Sequence, residues 1–462
     1  MKKYIGDKAF YRKLFTVMIP ILIQNVITNF VSLLDNVMVG RIGTEQMSGV
    51  AIVNQLMFVY NLAIFGGISG IGIFTAQFYG SGDDEGVRHT VRMKYYVVLG
   101  ILALFTAAFT IFGEQLIMLF LHESTEDIDL ALTLSYGKKY LAVMLIQMLP
   151  FAIMQVYAGT LRETGETKLP MTAGIIAIFV NLGLNYVLIF GKLGLPALGV
   201  VGAAIATVTA RFIECGIVVL IPHFKLSRFT YLKGLFSSFG IPKRLAGNMA
   251  IRGLPLMINE LLWSLGMTTL NQCYSYKGPE VIPAISISST ASNLFFCAFF
   301  AMGSTIAIIV GQLLGAGDFE RAVDEDRKLI GFSVALCTLV GVVMAVVSPY
   351  IPRLYNTIPE VKKLATDLLL VGACMMPVDA YTNASYFTLR SGGKTFITFL
   401  FDSGFVWTIC VPVAFVISRF TSIPIVPMFI IVRALDILKC LVGYAFIKRR
   451  KWVNNLTVEN GD

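Results

Sequence analysis

The chain has 462 residues, 56% of them hydrophobic and 14% charged, with a formal net charge of +9, whereas soluble domains run about half apolar and about a quarter charged. A water-facing surface cannot be made from this composition, which excludes a soluble enzyme or nucleic-acid-binding module and leaves a protein solvated by lipid. The seven cysteines stand singly in apolar stretches and His89, His122 and His223 fall in three separate connectors, so neither a disulfide framework nor a metal centre other than Na+ is expected.

A spanning helix needs about 20 mostly apolar residues. Runs of that kind fall at 14–40, 50–74, 93–113, 138–160, 170–190 and 198–221, then at 250–274, 282–312, 329–348, 365–389, 396–417 and 424–447. The N-terminal stretch MKKYIGDKAFYRKLF carries no cleavage signature, so the first span is expected to be retained. Continuous runs of this length do not suit a membrane barrel, whose strands are shorter and alternate. The expected fold is an all-α polytopic membrane protein with twelve transmembrane helices.

Counting Lys and Arg on alternate sides gives the orientation. One side gathers Lys8, Arg12, Lys13, Arg88, Arg92, Lys94, Arg162, Lys168, the basic stretch from Lys225 to Arg252, Arg327, Lys328, Arg390 and the terminal Lys448 to Lys451. The other holds few, among them Arg41, Lys138, Lys192, Lys277 and Arg353, beside the acidic connector HESTEDID. Both termini are therefore expected in the cytoplasm, and the net charge reflects this asymmetry and attraction to anionic lipid rather than a nucleic-acid partner.

Displacing the sequence by 235 residues aligns AQFYGSGD (76–83) with GQLLGAGD (311–318) and Pro20 with Pro255, without a gap. Further along, LRETGET (161–167) answers LRSGGKT (389–395), Pro150 answers Pro377, and RFIE (211–214) answers RALD (433–436). The chain thus reads as an N-lobe (1–221), a cytoplasmic linker (222–249) and a C-lobe (250–462). Each unit has an even number of spans, so the two six-helix lobes are expected to be related by a pseudo-two-fold axis along the membrane normal, an architecture suited to alternating access.

Ionisable residues in hydrocarbon are expensive and mark candidate sites. Asp35 lies late in the first span, Glu260 in the seventh and Asp379 just after Pro377 in the tenth. With no cation near them in sequence, these acids suit reversible proton binding or Na+ coordination; each is otherwise a buried polar group satisfied by a neighbour. Asn181 and Asn185, four apart on one helix face, and Thr207 in the next span supply either oxygen ligands or interhelical glue. Arg211 with Glu214 and Arg433 with Asp436 repeat an i,i+3 pair and read as structural ion pairs. Gln24, Asn25, Trp263 and Asn293 are candidates for a substrate cavity, where aromatic residues attract organic cations. GSGDD (80–84) and GAGD (315–318) lack the GxxxxGK[ST] pattern, so no ATPase is expected.

The stretches LLDNVMVGRIG, AQFYGSGD with its echo GQLLGAGD, AGTLRETGETKLPM and NLGLNYVLIFGKLGLPALGVVGAAIAT resemble those of the multidrug and toxic compound extrusion (MATE) family, prokaryotic branch, within a wider group that includes lipid-linked oligosaccharide flippases. The resemblance covers nearly the whole chain. It implies an antiporter of the prokaryotic plasma membrane that expels amphipathic organic cations in exchange for Na+ or H+, without other cofactor; a monomer is taken as the default state. It further implies a cation-coupling role for Asp35, Asn181, Asn185 and Thr207 in the N-lobe and for Glu260 and Asp379 in the C-lobe. Some relatives carry an acid where this chain has Asn185, which leaves Na+ against H+ open. Two rivals stand beside this reading: a flippase of a lipid-linked precursor, which needs basic groups in its cavity, and a non-transporting membrane enzyme or scaffold.

Overall fold

The structure, a computed structural model, describes residues 5–40, 43–121, 129–355 and 357–458, the side chains of 31–37, 39, 40 and 120 excepted. The described residues contain no strand. Helices α1 (Lys8–Gly40), α2 (Thr44–Ser81), α3 (Asp84–Leu121), α4 (Leu130–Glu163), α5 (Lys168–Phe190) and α6 (Gly199–Phe224) precede the linker. After it come α7 (Lys243–Ser275), α8 (Val281–Gly315), α9 (Phe319–Val347), α10 (Pro359–Ser391), α11 (Thr395–Phe399), α12 (Val411–Phe420), α13 (Ile425–Ala434) and α14 (Asp436–Lys448).

Among the described residues ten passages are long and apolar enough to cross a membrane, counting α11 and α12 as one passage, Thr395–Phe420, joined through π-helical turns at Leu400–Gly404 and Val406–Cys410. The two remaining expected spans depart from an uninterrupted apolar helix for visible reasons. In α7 the charges of Lys243, Arg244, Arg252 and Glu260 dilute the apolar run. The last span breaks at Leu435 into α13 and α14. Helices α2 and α3 have 38 residues each, about 57 Å at ~1.5 Å per residue, so they extend well past a hydrocarbon layer of about 30 Å.

By packing, the chain forms two compact units: Met1–Leu22, Ile73–Asp83 and Gly247–Asp462 make one, Ile23–Gly72 and Asp84–Ala246 the other. Helices α1 and α2 are therefore each shared between units, whereas the sequence repeat divides the chain at the linker. In the larger unit α10 is central, packed on α8, α9, α13 and α14. The first turns of α1 join that core: Phe10, Leu14, Val17, Met18 and Ile21 are buried against Ile306, Ile309, Leu313 and Leu329. In the other unit α4 and α5 both pack on α6, and α3 on α4.

The duplication is visible in backbone detail. At the end of α2 the amide of Gly82 donates to the Tyr79 carbonyl and that of Asp83 to Phe78; at the end of α8 Gly317 donates to Leu314 and Asp318 to Leu313. Gly82 and Gly317 sit at φ of +77° and +75°, the left-handed conformation that favours glycine. The two helix ends also cross. A Cβ on Gly80 would collide with the backbone of Gln312, and one on Gly315 with the backbone of Gln77, a reciprocal contact between residues equivalent under the repeat.

The segment after α14 covers this crossing. The fully buried Gln77 amide donates to the carbonyls of Ser391 (2.8 Å) and Asn454 (3.2 Å) and accepts from the Leu456 amide at 2.7 Å. Asn455 donates to the Gly315 carbonyl at 3.2 Å, and Trp452 and Leu456 are buried. Gly315→Ala should therefore destabilise the protein by about 1–3 kcal/mol, because backbone must move. Gly100→Ala, where an added Cβ meets nothing within 4 Å, should be neutral or slightly stabilising. Thermal unfolding of the two purified variants checks this, and equal effects would contradict it.

Candidate functional site

Helices α5 and α6 approach closely because α6 is lined with small residues: a Cβ on Gly202 would lie 2.6 Å from the Leu188 carbonyl oxygen. Three of the four residues expected at the N-lobe site meet there. The buried Asn185 donates to the Asn181 side-chain oxygen (3.2 Å), Asn181 donates to the Thr207 hydroxyl (3.2 Å), and Thr207 donates to the Ala203 carbonyl (3.0 Å). The direction of this relay brings amide and hydroxyl oxygens together inside the unit, a donor set suited to a hard cation. Asp35 lies on α1, and its side chain is outside the described residues.

The same unit buries charge in pairs. Arg211 bonds Glu214 at 2.6 Å and lies over the Phe151 ring at 5.5 Å. Gln24 reaches the same neighbourhood, its amide nitrogen 3.1 Å and the Glu214 carboxylate 3.5 Å from a Cβ built on Gly174. Asn25, half-buried, accepts at its carbonyl from Asn29 at 3.0 Å. Lys94, counted above as a connector charge, is instead fully buried on α3, paired with Glu163 and donating to Thr160 at 3.1 Å.

The larger unit holds the C-lobe candidates in a longer chain of charge. Asp379, on α10, is buried and bonded by Arg433 of α13 at 2.6 Å. Of the two readings held open for Asp379, this contact is the buried polar group satisfied by a neighbour, and that neighbour stands 54 residues away, beyond what spacing reveals. Arg433 reaches Asp436 only at 3.4 Å, so the pair foreseen within the last span is the weaker half of its bonding. Lys439 continues the series, 3.3 Å from Asp436 and 3.9 Å from Asp402. Asp402 lies in the first π-helical turn and accepts from Asn259 at 3.0 Å. Asn259, 1% exposed, also accepts from the Ser403 amide (3.2 Å) and hydroxyl (2.7 Å), tying α7 to that turn. Glu260 follows it on α7. Trp263 and Asn293 are exposed on α7 and α8.

Sequence reasoning missed Lys94, Glu163, Asn259, Arg390, Asp402 and Lys439. Asp402 and Lys439 carry the signal that singled out Asp35, Glu260 and Asp379, an ionisable group inside an apolar run. Asn259 offered none, since an asparagine beside Glu260 gains its role only from the packing of the Thr395–Phe420 passage.

Helices of membrane-crossing length, an internal duplication and charge held inside apolar passages define the class as a polytopic membrane transporter. The MatE family model matches residues 20–187 and 255–416, two stretches that begin at the aligned Pro20 and Pro255. The chain belongs to the MATE family, as a multi-pass membrane transporter. It is 27% identical to the probable multidrug resistance protein NorM of Thermotoga maritima over 96% of this chain and 93% of that one. It is 24% identical to the probable multidrug resistance protein YoeA of Bacillus subtilis over 96% of each. Both relatives are named for multidrug resistance and not as enzymes. Among solved structures, a MATE protein in complex with MaL6 superposes with a TM-score of 0.82 at 17% identity, covering 97% of this chain and 98% of that one. An outward-facing multidrug resistance MATE family transporter of the MOP superfamily gives 0.81 at 18%, with the same coverage.

Removing one partner of a buried ion pair strands the other charge, a loss of about 3–5 kcal/mol. Lys94→Met should therefore lower stability by that order, and Lys94→Met with Glu163→Gln should recover most of it. Chemical or thermal unfolding of the single and double variants measures the cycle; a double variant no better than the single one contradicts a coupled pair.

Proposed function

We propose that the chain is a secondary antiporter that expels amphipathic organic cations in exchange for Na+ or H+ by alternating access. The observation that carries this reading is a set of acids held inside a duplicated membrane fold: Glu260, Asp379, Asp402 and Asp436 in one unit, with Asp35 and the Asn181–Asn185–Thr207 relay on the other part of the chain. A coupling ion that binds these groups favours one arrangement of the lobes, and an organic cation favours the other. Their competition for negative charge links the two fluxes. The relatives' names support export of drugs as the outcome. The asymmetry of Lys and Arg supports both termini in the cytoplasm, and the bacterial relatives support a prokaryotic plasma membrane as the location, with a monomer as the default state.

A flippase of a lipid-linked precursor would need cations free to hold pyrophosphate. Arg433 and Lys439 are instead each paired with carboxylates, which favours the exporter.

Ethidium efflux from pump-deficient bacteria tests the reading, with and without Na+, for wild type and for Asp35→Asn, Glu260→Gln and Asp379→Asn at matched membrane expression. Wild type should clear the dye, and each variant should fall to about a tenth of that rate or less. Dependence on Na+ would identify the ion. Failure of the wild type to clear any of several cationic dyes would sink the proposal.

A further inference from the structure

The start of α5, the end of α6 and the linker that follows enclose a cavity of about 320 Å³ whose wall carries Lys168, Lys225, Arg228 and Glu166 over an apolar floor that includes Phe229. Three cations thus face one carboxylate, and that carboxylate is engaged: Glu166 pairs with Arg228 and accepts from the Leu169 amide at 3.2 Å. The linker is held in place here, since Phe229 is 4% exposed and the buried Tyr231 shares a hydrogen bond with the Thr164 hydroxyl at 3.1 Å. Neither Lys168 nor Lys225 has an ion-pair partner among the described residues, and an arginine bonded to one acid retains further N–H donors.

Helix polarity makes the place of Lys168 informative. It is the first residue of α5, whose first turn has no acid, and the positive end of a helix favours an anion and disfavours a cation. An anion seated among Lys168, Lys225 and Arg228 satisfies the helix end and the ammonium groups together. Farther into the span the face of α5 that exposes Lys168 goes on to expose Thr172, Ile176 and Phe179, an apolar track leading away from the cavity. The second copy has a comparable groove without the charge. The aligned LRETGET and LRSGGKT motifs, and RFIE and RALD, set Phe396 where the first copy has Lys168 and Ile447 where it has Lys225. A cavity of about 140 Å³ there has Ile397 and Leu400 at the places of Leu169 and Thr172, and the Lys439 in its lining is already held by Asp436 at 3.3 Å. The groove is common to both copies, and the cationic lining belongs to the first.

We propose that this cavity binds the phosphate of an anionic phospholipid headgroup, from the leaflet that meets the linker side of α5 and α6. The Lys168 and Lys225 ammoniums and the remaining donors of Arg228 hold the phosphate oxygens, with Arg228 fixed by Glu166. The acyl chains run down over Ile176 and Phe179. That track selects a lipid over free phosphate, and the excess of cations selects an anionic headgroup over a zwitterionic one. The site does not depend on what the chain transports.

Thermal unfolding of the full chain, purified in detergent and titrated with dioleoylphosphatidylglycerol, tests the site, with dioleoylphosphatidylcholine and inorganic phosphate as separate arms. Phosphatidylglycerol should raise the unfolding midpoint saturably, and the other two should raise it little. Lys168→Gln with Lys225→Gln should increase the lipid concentration for half-maximal stabilisation by about tenfold or more. Lys168→Arg with Lys225→Arg should stay within about twofold of wild type, and so should Lys448→Gln with Arg449→Gln, which removes equal charge from the basic end of the chain. Lys168 and Lys225 are exposed, and the midpoint without lipid establishes that each variant is folded. Equal loss in the two neutralised pairs would reduce the effect to general surface charge and overturn the proposal. So would the lack of a saturable rise, or a rise with phosphatidylcholine equal to that with phosphatidylglycerol. Stabilisation by phosphate alone as large as that by lipid, and lost in Lys168→Gln with Lys225→Gln, would assign the cavity to a free anion and overturn the lipid.

Discussion

A charge inside an apolar bundle is costly unless an opposite charge or a hydrogen-bonding group meets it, and here such partners arrive from helices distant in sequence. Lys94 meets Glu163 across α3 and α4, Arg433 meets Asp379 across α13 and α10, and Asp402 meets Asn259 across the eleventh passage and α7. Each contact costs desolvation that only good geometry offsets. It follows that such groups fix which helices are neighbours and in what rotation, since a helix turned by one residue would leave a charge facing lipid. The apolar contacts could tolerate many such rotations; the ion pairs tolerate few.

Duplication supplied the frame on which these charges diverged. The turns after α2 and α8 repeat their hydrogen bonds and their left-handed glycine, and the turns after α4 and α10 do the same at Gly165 and Gly393. Backbone geometry was conserved between copies because a left-handed turn or a glycine crossing admits few substitutes. Side chains facing the interior were freer. An arginine retained in both copies rests on an aromatic face in one and on a carboxylate in the other.

Composition and the length of the apolar runs made the helical membrane fold legible, and the gapless repeat at an offset of 235 residues made the duplication legible, because both depend on short-range pattern. Asn181 and Asn185 were legible as a face because four residues make about one helical turn. The partner of Asp379 was not, since nothing in the spacing of RALD says which face α13 turns to α10. The sharing of α1 and α2 between packing units was also hidden: a repeat records how the chain arose, whereas packing records which surfaces meet. Lys94 illustrates the limit from the other side, for a basic residue near a span's end reads as a connector charge until the burial of its side chain is seen.

The breaks in regular helix fall where the charge network runs. Asp402 sits in a π-helical turn, and Arg433 and Asp436 flank the interruption at Leu435. Such departures release backbone groups from the regular ladder and cost stability in an apolar setting, so they persist where the surrounding contacts over-determine them or where function requires them. In this unit the contacts are present: Asn259 and Ser403 hold the π-helical turn against α7, and Lys439 spans from the second side of the break to Asp402. Arg433 reaches across this interruption to both acids at once, 2.6 Å from Asp379 through one guanidinium nitrogen and 3.4 Å from Asp436 through the other.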